Sequence, residues 1–319
     1  MLSYLIQRWL LLVPTLALAS ILIFGIVTLA PGDPVRMKIG LEATPQQVAA
    51  ERSRLGLDQP LPVRYAVWLS DVVHLNLGRS LINGRQVTTL IADAFPNTLR
   101  LALTAFTISL LIGLPLGSLA AVHRNGWLDA MVTSLTSLGL AIPAFWLGLM
   151  LILLFAVTLQ LLPPSGIGNP GQPWYLSLQF LVLPTVTIAV SNIAVFSRFV
   201  RSAMLDVLGS DFVRTARAKG LREPTVLGRH ALRNALIPVV TVLGIQFGRL
   251  LSGAVVTEAV FAYPGLGFLV VTSIQNRDYP VVQGALMLVV VIFLLTSMVV
   301  DLSYAYLDPR VTLRTRSGG

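Results

Sequence analysis

Long runs of apolar residues alternate with shorter polar segments along this 319-residue chain. A helix needs roughly 20 mainly apolar residues to cross a hydrocarbon core of about 30 Å. Six runs reach that length and predict membrane spans, at residues 9–29, 99–122, 131–160, 177–200, 236–257 and 281–306. The pattern therefore predicts an all-α polytopic membrane protein with six transmembrane helices.

The composition supports this prediction, because 55% of the residues are hydrophobic and only 12% are charged, against about 25% charged in soluble domains. The chain has no cysteine, which excludes disulfides, thiolate metal sites and cysteine nucleophiles. The first apolar run continues through Leu29. It is too long for the apolar core of a signal peptide and predicts an uncleaved span.

The distribution of basic residues predicts the orientation. Arg8 precedes the first span, and Arg124 lies in the short loop between spans two and three. The loop between spans four and five and the C-terminal tail, 311–319, are also basic. Because short cytoplasmic loops collect Arg and Lys, all these segments and both termini are predicted to be cytoplasmic.

Residues 31–97 form a long polar insertion after the first span. Loops of this length are translocated largely regardless of their charge. Thr44 followed by Pro45 is typical of a helix start. We therefore expect an N-terminal segment 1–30, an extracytoplasmic insertion of short helices at 31–97, and a core domain at 98–310.

The cytoplasmic coupling segment between spans four and five, residues 210–238, carries two helix signals. Ser210 followed by Asp211 favours the start of a helix. Gly220 favours its end, and Pro224 fits the first turn of a second helix. The first helix has small residues and a basic rim, which favour docking in a groove of another protein. The alternative is a solvated loop resting on anionic lipid headgroups.

Other kinds of chemistry find little support. A phosphate-binding loop needs Gly-Lys-Ser/Thr, but the two lysines, Lys38 and Lys219, follow Met37 and Ala218. Ion-coupled transporters usually carry acidic groups within the membrane, whereas no carboxylate lies in the middle of a predicted span. The three histidines are far apart in the sequence, so no metal site and no enzyme activity are predicted.

Arg249 is a charge well inside the fifth predicted span. Such a charge usually faces the bundle interior or water, so Arg249 is a candidate for the translocation pathway, with Asn192 and Gln246 as weaker candidates. The alternative is a structural role beside a backbone carbonyl or another subunit.

Four prolines lie within or at the start of the predicted spans: Pro115, Pro143, Pro184 and Pro238. Proline tends to kink a helix. The kinks either serve only packing between helices or shape helices that line a pathway.

Several motifs follow one another in a recognisable order. Two of them lie in the cytoplasmic segment: Arg-Thr-Ala-Arg-Ala-Lys-Gly at 214–220 and His-Ala-Leu-Arg-Asn-Ala-Leu-Ile-Pro at 230–238. They resemble the cytoplasmic loop of the ABC-importer permeases, in the dipeptide/oligopeptide/nickel branch. Further landmarks follow in the family's order, at 30–34, 55–60, 257–258, 263–267, 277–280, 300–301 and 307–310. Arg214 and Thr215 stand where the general loop pattern has Glu and Ala, which puts in doubt any role of that Glu.

The resemblance implies a type I ABC importer fold in the bacterial inner membrane. It implies that ATP and Mg²⁺ are used by one or two partner ATPases, that a second homologous permease completes the pore, and that this chain binds no cofactor. The implied ATPase-coupling residues are Arg214, Thr215, Ala216, Arg217, Ala218, Lys219, Gly220 and Leu221.

The resemblance also implies an extracytoplasmic substrate-binding protein. Residues 259–280 and the insertion are the candidate docking surface, with Tyr263, Asn276 and Tyr279 as candidate contacts; the alternative is a re-entrant segment that only packs. Peptides are the expected substrates, with nickel, glutathione or another small solute as alternatives. A self-contained secondary transporter is the competing class.

Overall fold

The computed structural model describes residues 2–29, 35, 39, 43–54, 56–169, 171 and 173–307, without the side chains of 2–9, 174, 252–253 and 301–307. The landmark at 30–34 and the tail 311–319 therefore lie outside the described residues. Within the described residues the fold is helical, apart from one isolated bridge between Arg79 and Gln86.

The helices follow one another in chain order with mostly short connections. They are α1 Leu2–Leu29, α2 Pro45–Arg54, α3 Leu61–Val73, α4 Val87–Val122, α5 Trp127–Ala141, α6 Ala144–Leu151, α7 Trp174–Leu208, α8 Asp211–Ala218, α9 Glu223–Thr225, α10 Arg233–Gly253, α11 Val255–Val260, α12 Leu266–Gln275 and α13 Tyr279–Leu307. Two π-helical stretches, Ile152–Thr158 and Val226–Leu232, continue α6 and join α9 to α10.

Five helical segments are long and apolar enough to cross a membrane: Leu10–Leu29, Val87–Val122, Tyr175–Leu208, Glu223–Val260 and Tyr279–Val300. A sixth candidate is the pair Trp127–Ala141 and Ala144–Thr158, which is bent by 96°. The prediction of six spans is confirmed when this bent pair counts as one span.

The third predicted span, 131–160, is therefore not a single straight helix. Helix α5 ends at Ala141, and Ile142 takes an extended conformation with ψ 122°. A residue that precedes proline is pushed out of the α region by the pyrrolidine ring, so Pro143 explains the break. Pro115, Pro184 and Pro238 instead lie within continuous helices.

The chain divides into two compact units, and the first contains Leu99–Tyr263 with the end of α13. Helix α7 is central in this unit, because it packs against α5, α6 and α10. Two glycines of α4 allow α7 to approach closely: a Cβ on Gly113 would lie 2.9 Å from Phe196 Cβ, and one on Gly117 would overlap the carbonyl oxygen of Ser197. Small residues four apart commonly mark close helix crossings in membranes.

An ion pair joins α5 to α7 in the same unit. Arg201 donates from Nε and Nη2 to the two carboxylate oxygens of Asp129, at 2.6 and 2.7 Å. Asp129 is buried and also accepts from the Asn125 backbone N–H at 3.0 Å. The fourth predicted span ended at residue 200, which left Arg201 in the basic loop after it. Helix α7 instead continues to Leu208, so Arg201 lies within a helix and holds two helices together.

The second unit contains the described parts of Leu2–Thr98 together with Pro264–Leu294. Its apolar core joins the start of α4 to α12 and α13, through Val87, Ile91, Ala94, Leu266, Val270, Val281 and Ala285. The insertion contributes the short helices α2 and α3. Thr44 and Gln47 form reciprocal bonds at the start of α2, with Thr44 N–H donating to Gln47 Oε1 at 2.9 Å, so the predicted helix start is confirmed.

Candidate functional site

The predicted coupling segment contains a short amphipathic helix, α8. Asp211 lies in its first turn, where a negative charge stabilises the helix dipole. The helix ends in a Schellman motif, because the Leu221 N–H donates to the Ala216 carbonyl and the Gly220 N–H donates to the Arg217 carbonyl. Gly220 has the positive φ of 75° that this ending requires, so the predicted helix end is confirmed.

The start of α8 differs from the predicted cap. Ser210 has an extended backbone at the N-cap position but makes no capping bond with its side chain. Its hydroxyl donates instead to the Val207 carbonyl at 2.5 Å. The preceding helix α7 ends at Leu208, and the same Val207 carbonyl in its last turn also accepts the Ser210 backbone N–H at 3.0 Å.

The two faces of α8 have different roles. Val213 and Ala216 are buried and pack with Val226, so Ala216 holds the helix on its own unit. The outward face is exposed and mostly polar or basic; it consists of Phe212, Arg214, Thr215, Arg217, Ala218 and Lys219. This face, together with the exposed Asp211, Gly220 and Leu221, is accessible to a partner, whereas Val213 and Ala216 are not.

An ion pair bridges the turn after α8. Arg217 donates from Nη2 and Nε to the carboxylate of Glu223, at 2.5 and 3.2 Å. This carboxylate raises the pKa of Arg217. Both side chains are about half exposed, so the pair adds little stability, and it links the last turn of α8 to the start of α9.

The second half of the segment connects this surface to a spanning helix without interruption. Helix α9 runs through the π-helical stretch Val226–Leu232 into α10. Ala231, Ala235 and Val239 are buried in a cluster with Val200 and Met204 of α7. The sequence predicted this second helix from Pro224 but gave no sign of its π-helical stretch.

The three predicted pathway residues lie together. Gln246 donates to Asn192 Oδ1 at 3.4 Å, and Arg249 Nη1 donates to Gln246 Oε1 at 3.2 Å. All three line one cavity of about 210 Å³. Arg249 is exposed, so its guanidinium is held by Gln246 and remains accessible from the cavity.

The cavity has further polar lining residues that sequence reasoning missed, namely Thr187, Ser191 and Thr257. Thr187 and Ser191 precede Val195 at a spacing of four residues on α7, so they share one face of that helix. The sequence signal that could have identified them is the repetition of small polar residues at helical spacing within an otherwise apolar span.

Two family models match the chain. The model described as binding-protein-dependent transport system inner membrane component matches residues 113–313, and the N-terminal model of the same transport systems matches residues 1–102. This chain belongs to that family of ABC importer permeases.

Relatives and solved structures agree with this membership. This permease is 43% identical over 311 residues to the glutathione transport system permease protein GsiC of Salmonella typhimurium LT2 and of Escherichia coli K12, covering 98% of this chain and 99% of each relative. The inward-facing MetNI methionine ABC transporter is 21% identical, with a TM-score of 0.59 over 69% of this chain and 97% of that chain. An amino acid ABC transporter with histidines gives a TM-score of 0.52 at 16% identity. The type I importer fold and the family resemblance are thus confirmed.

The candidate docking residues of the permease differ in their accessibility. Tyr263 is only 1% exposed, and burial raises its pKa to about 12, so it packs inside its unit and offers no docking surface. Asn276 is exposed and Tyr279 is partly buried.

Among the described residues of the permease, no group of His, Cys, Asp or Glu could hold a metal ion.

Proposed function

We propose that this permease forms half of the transmembrane pore of an importer for short peptides, and that glutathione is the first substrate to test. The observation that carries this proposal is the polar cavity around Arg249, because a guanidinium within an apolar helical unit is suited to bind a carboxylate in two-point contact. The name of the 43% identical relatives, glutathione transport permease, supports the choice of glutathione, an anionic tripeptide.

We further propose that α8 is the coupling helix. Its outward face would lie in a groove of a cytoplasmic ATPase, and the continuous chain from α9 into α10 would transmit a displacement of α8 to the helix that carries Gln246 and Arg249. ATP binding by the partners would then favour the outward-open state, and hydrolysis would restore the inward-open state.

The proposed assembly contains a second homologous permease, one or two kinds of ATPase and an extracytoplasmic substrate-binding protein. Both termini and α8 lie in the cytoplasm in this proposal, because the basic face of α8 follows the positive-inside bias. Residues 31–97 and the exposed end of α12 at Asn276 would lie on the opposite side and meet the binding protein.

The proposal is tested by isolating the tagged permease from native membranes in mild detergent and identifying the co-purifying subunits by mass spectrometry. The recovered complex is reconstituted in proteoliposomes, and uptake of labelled glutathione, a dipeptide and Ni²⁺ is measured with and without ATP. ATP-dependent peptide uptake is expected. Transport by the permease alone would instead support a secondary transporter, and uptake of Ni²⁺ alone would change the substrate class.

Substitution of Gly220 tests the coupling helix. Gly220→Val places a β-branched residue at φ 75°, which costs roughly 1–2 kcal/mol and should disturb the end of α8. We expect ATP-driven uptake by the Gly220→Val variant to fall by up to about tenfold. The Gly220→Asn variant should retain most of its uptake, because Asn tolerates this backbone conformation.

The matched control is Gly209→Ala. Gly209 ends α7 with an ordinary φ of −78°, and an added Cβ would meet its neighbours at ordinary distances of 3.7 Å. Equal uptake by the valine and alanine variants would argue against a role of the α8 ending in coupling.

A further inference from the structure

A large pocket lies within the second unit, at the helices of the insertion. Its volume is about 1080 Å³, close to the upper end of the range for small-molecule sites. Its walls come from the end of α1, the end of α2, one face of α3, the segment 76–84 and the start of α13. The pocket is separate from the Arg249 cavity in its residues, and nothing in the proposed pore mechanism uses it.

The pocket has a strongly positive lining. Among the described residues, four arginines, Arg52, Arg54, Arg64 and Arg79, line it with one carboxylate, Asp71. Arg54 is paired with Glu51 at 3.5 Å, and Arg79 donates to the Gly84 carbonyl at 3.3 Å. The lining thus carries more positive than negative side chains, which favours an anion over a cationic ligand.

Helix α3 places a cation and an aromatic ring side by side in the pocket. Arg64, Trp68 and Asp71 lie on one face, at positions i, i+4 and i+7. The helix is fixed in rotation by Tyr65, whose hydroxyl lies 2.8 Å from Ser20 Oγ of α1, and by the packing of Phe24 against the rings of Tyr65 and Trp68. Burial lowers the pKa of Arg64, so this guanidinium has lost part of its water.

The opposite wall is also fixed. Asp278 accepts from the Ser80 hydroxyl at 2.5 Å and from the Leu81 N–H at 3.0 Å, which holds the segment 76–84 beside the start of α13. Tyr279 of α13 lines the pocket, and its hydroxyl is buried without a hydrogen-bond partner among the described residues. Because this hydroxyl has almost no accessible surface, Tyr279 forms part of the wall without offering its hydroxyl to a ligand.

We propose that this pocket is a receiving site on the permease itself for the carboxylate of a short peptide, in which Arg64 pairs with the carboxylate beside the ring of Trp68. Arginine recognises a carboxylate through two parallel N–H donors, and Trp68 provides a flat apolar surface for the rest of the ligand. The proposal rests on the proposed function, because it takes a short anionic peptide as the substrate and places the pocket outside the cytoplasm.

The site is tested on the full permease in phosphatidylcholine nanodiscs, without partner subunits. The probe is S-methylglutathione, which avoids thiol chemistry, and binding is titrated by saturation-transfer NMR. We expect the free acid of S-methylglutathione to bind the permease. Its diamide, in which amides replace both carboxylates, should bind at least about tenfold more weakly.

Variants of Arg64 locate the binding. Arg64→Gln is expected to weaken binding by about tenfold, and Arg64→Lys less, because the lysine retains the charge but loses the planar fork. The matched control is Arg85→Gln: Arg85 belongs to the same insertion but pairs with Asp93 at 2.7 Å on the surface and does not line the pocket. This control should change binding by less than about twofold.

The proposal would be overturned if the Arg64→Gln and Arg85→Gln variants bound the probe equally, or if the free acid and the diamide bound equally. It would also be overturned if adding phosphatidylglycerol to the discs abolished binding, because that result would assign the arginines to lipid headgroups. The uptake assay of the assembled importer remains separate. Normal glutathione uptake with no binding here would remove this site alone, whereas binding of trialanine but not S-methylglutathione would support the site and remove glutathione as the substrate.

Discussion

Replacement of Gly117 by alanine is expected to prevent accumulation of the folded permease. An added Cβ would overlap the Ser197 carbonyl oxygen and lie 2.8 Å from Val200 Cβ. The backbone oxygen cannot move without displacing α7, and overpacking of this kind costs about 1–3 kcal/mol or more. The measurement is the yield of monodisperse, detergent-purified protein by fluorescence-detected gel filtration.

The matched control for this prediction is Gly25→Ala in α1. An added Cβ at Gly25 would meet no atom within 4 Å, and alanine is the better helix former, so the control should accumulate at least as well as the original protein. Gly113→Ala should be intermediate, because the nearest atom to its added Cβ is a side-chain carbon at 2.9 Å. Normal accumulation of the Gly117→Ala variant would contradict the close α4–α7 crossing.

Apolar run length was sufficient to predict the helical spans, because a membrane span must satisfy its backbone hydrogen bonds internally. It could not predict the break at Pro143, since Pro115, Pro184 and Pro238 occur in similar runs and leave their helices continuous. The difference depends on whether neighbouring helices re-satisfy the freed carbonyl groups, and that information is tertiary.

The same limit explains the treatment of Asp129 and Arg201. Each looks like a solvated charge near the end of a span, and nothing in the local sequence pairs residues that are 72 positions apart. Their bidentate contact appears only when α5 packs on α7. By contrast, the end of α8 was predictable, because a left-handed backbone position favours glycine for local steric reasons.

The candidate sites were predictable to different degrees. Arg249 stood out because a charge inside an apolar span is costly, and Asn192 and Gln246 were found by the same argument. The burial of Ala216 and Tyr263 was not predictable, since a small residue and an aromatic residue are each common both on surfaces and in cores.

Removal of the Arg249 side chain is expected to reduce ATP-driven uptake by about 10- to 100-fold, which corresponds to the loss of one charged hydrogen bond to substrate. Assembly with partner subunits should be unchanged, because Arg249 is exposed and its guanidinium is held by a single 3.2 Å bond to Gln246 among the described residues. The measurement is initial uptake of labelled glutathione by proteoliposomes that contain the Arg249→Ala complex.

Two further variants separate a pathway role from a structural one. Arg249→Lys keeps the positive charge and should retain part of the uptake of an anionic substrate, whereas Arg249→Gln keeps a hydrogen-bond donor to Gln246 without the charge and should behave like Arg249→Ala. If the guanidinium only fixes Gln246, the glutamine variant would instead retain full uptake. Asn192 and Gln246 are neutral partners in the same cavity. If Arg249 lies in the pathway, we therefore expect its removal to reduce uptake of an anionic peptide more than uptake of a neutral one. Equal losses for both substrates would contradict the pathway role.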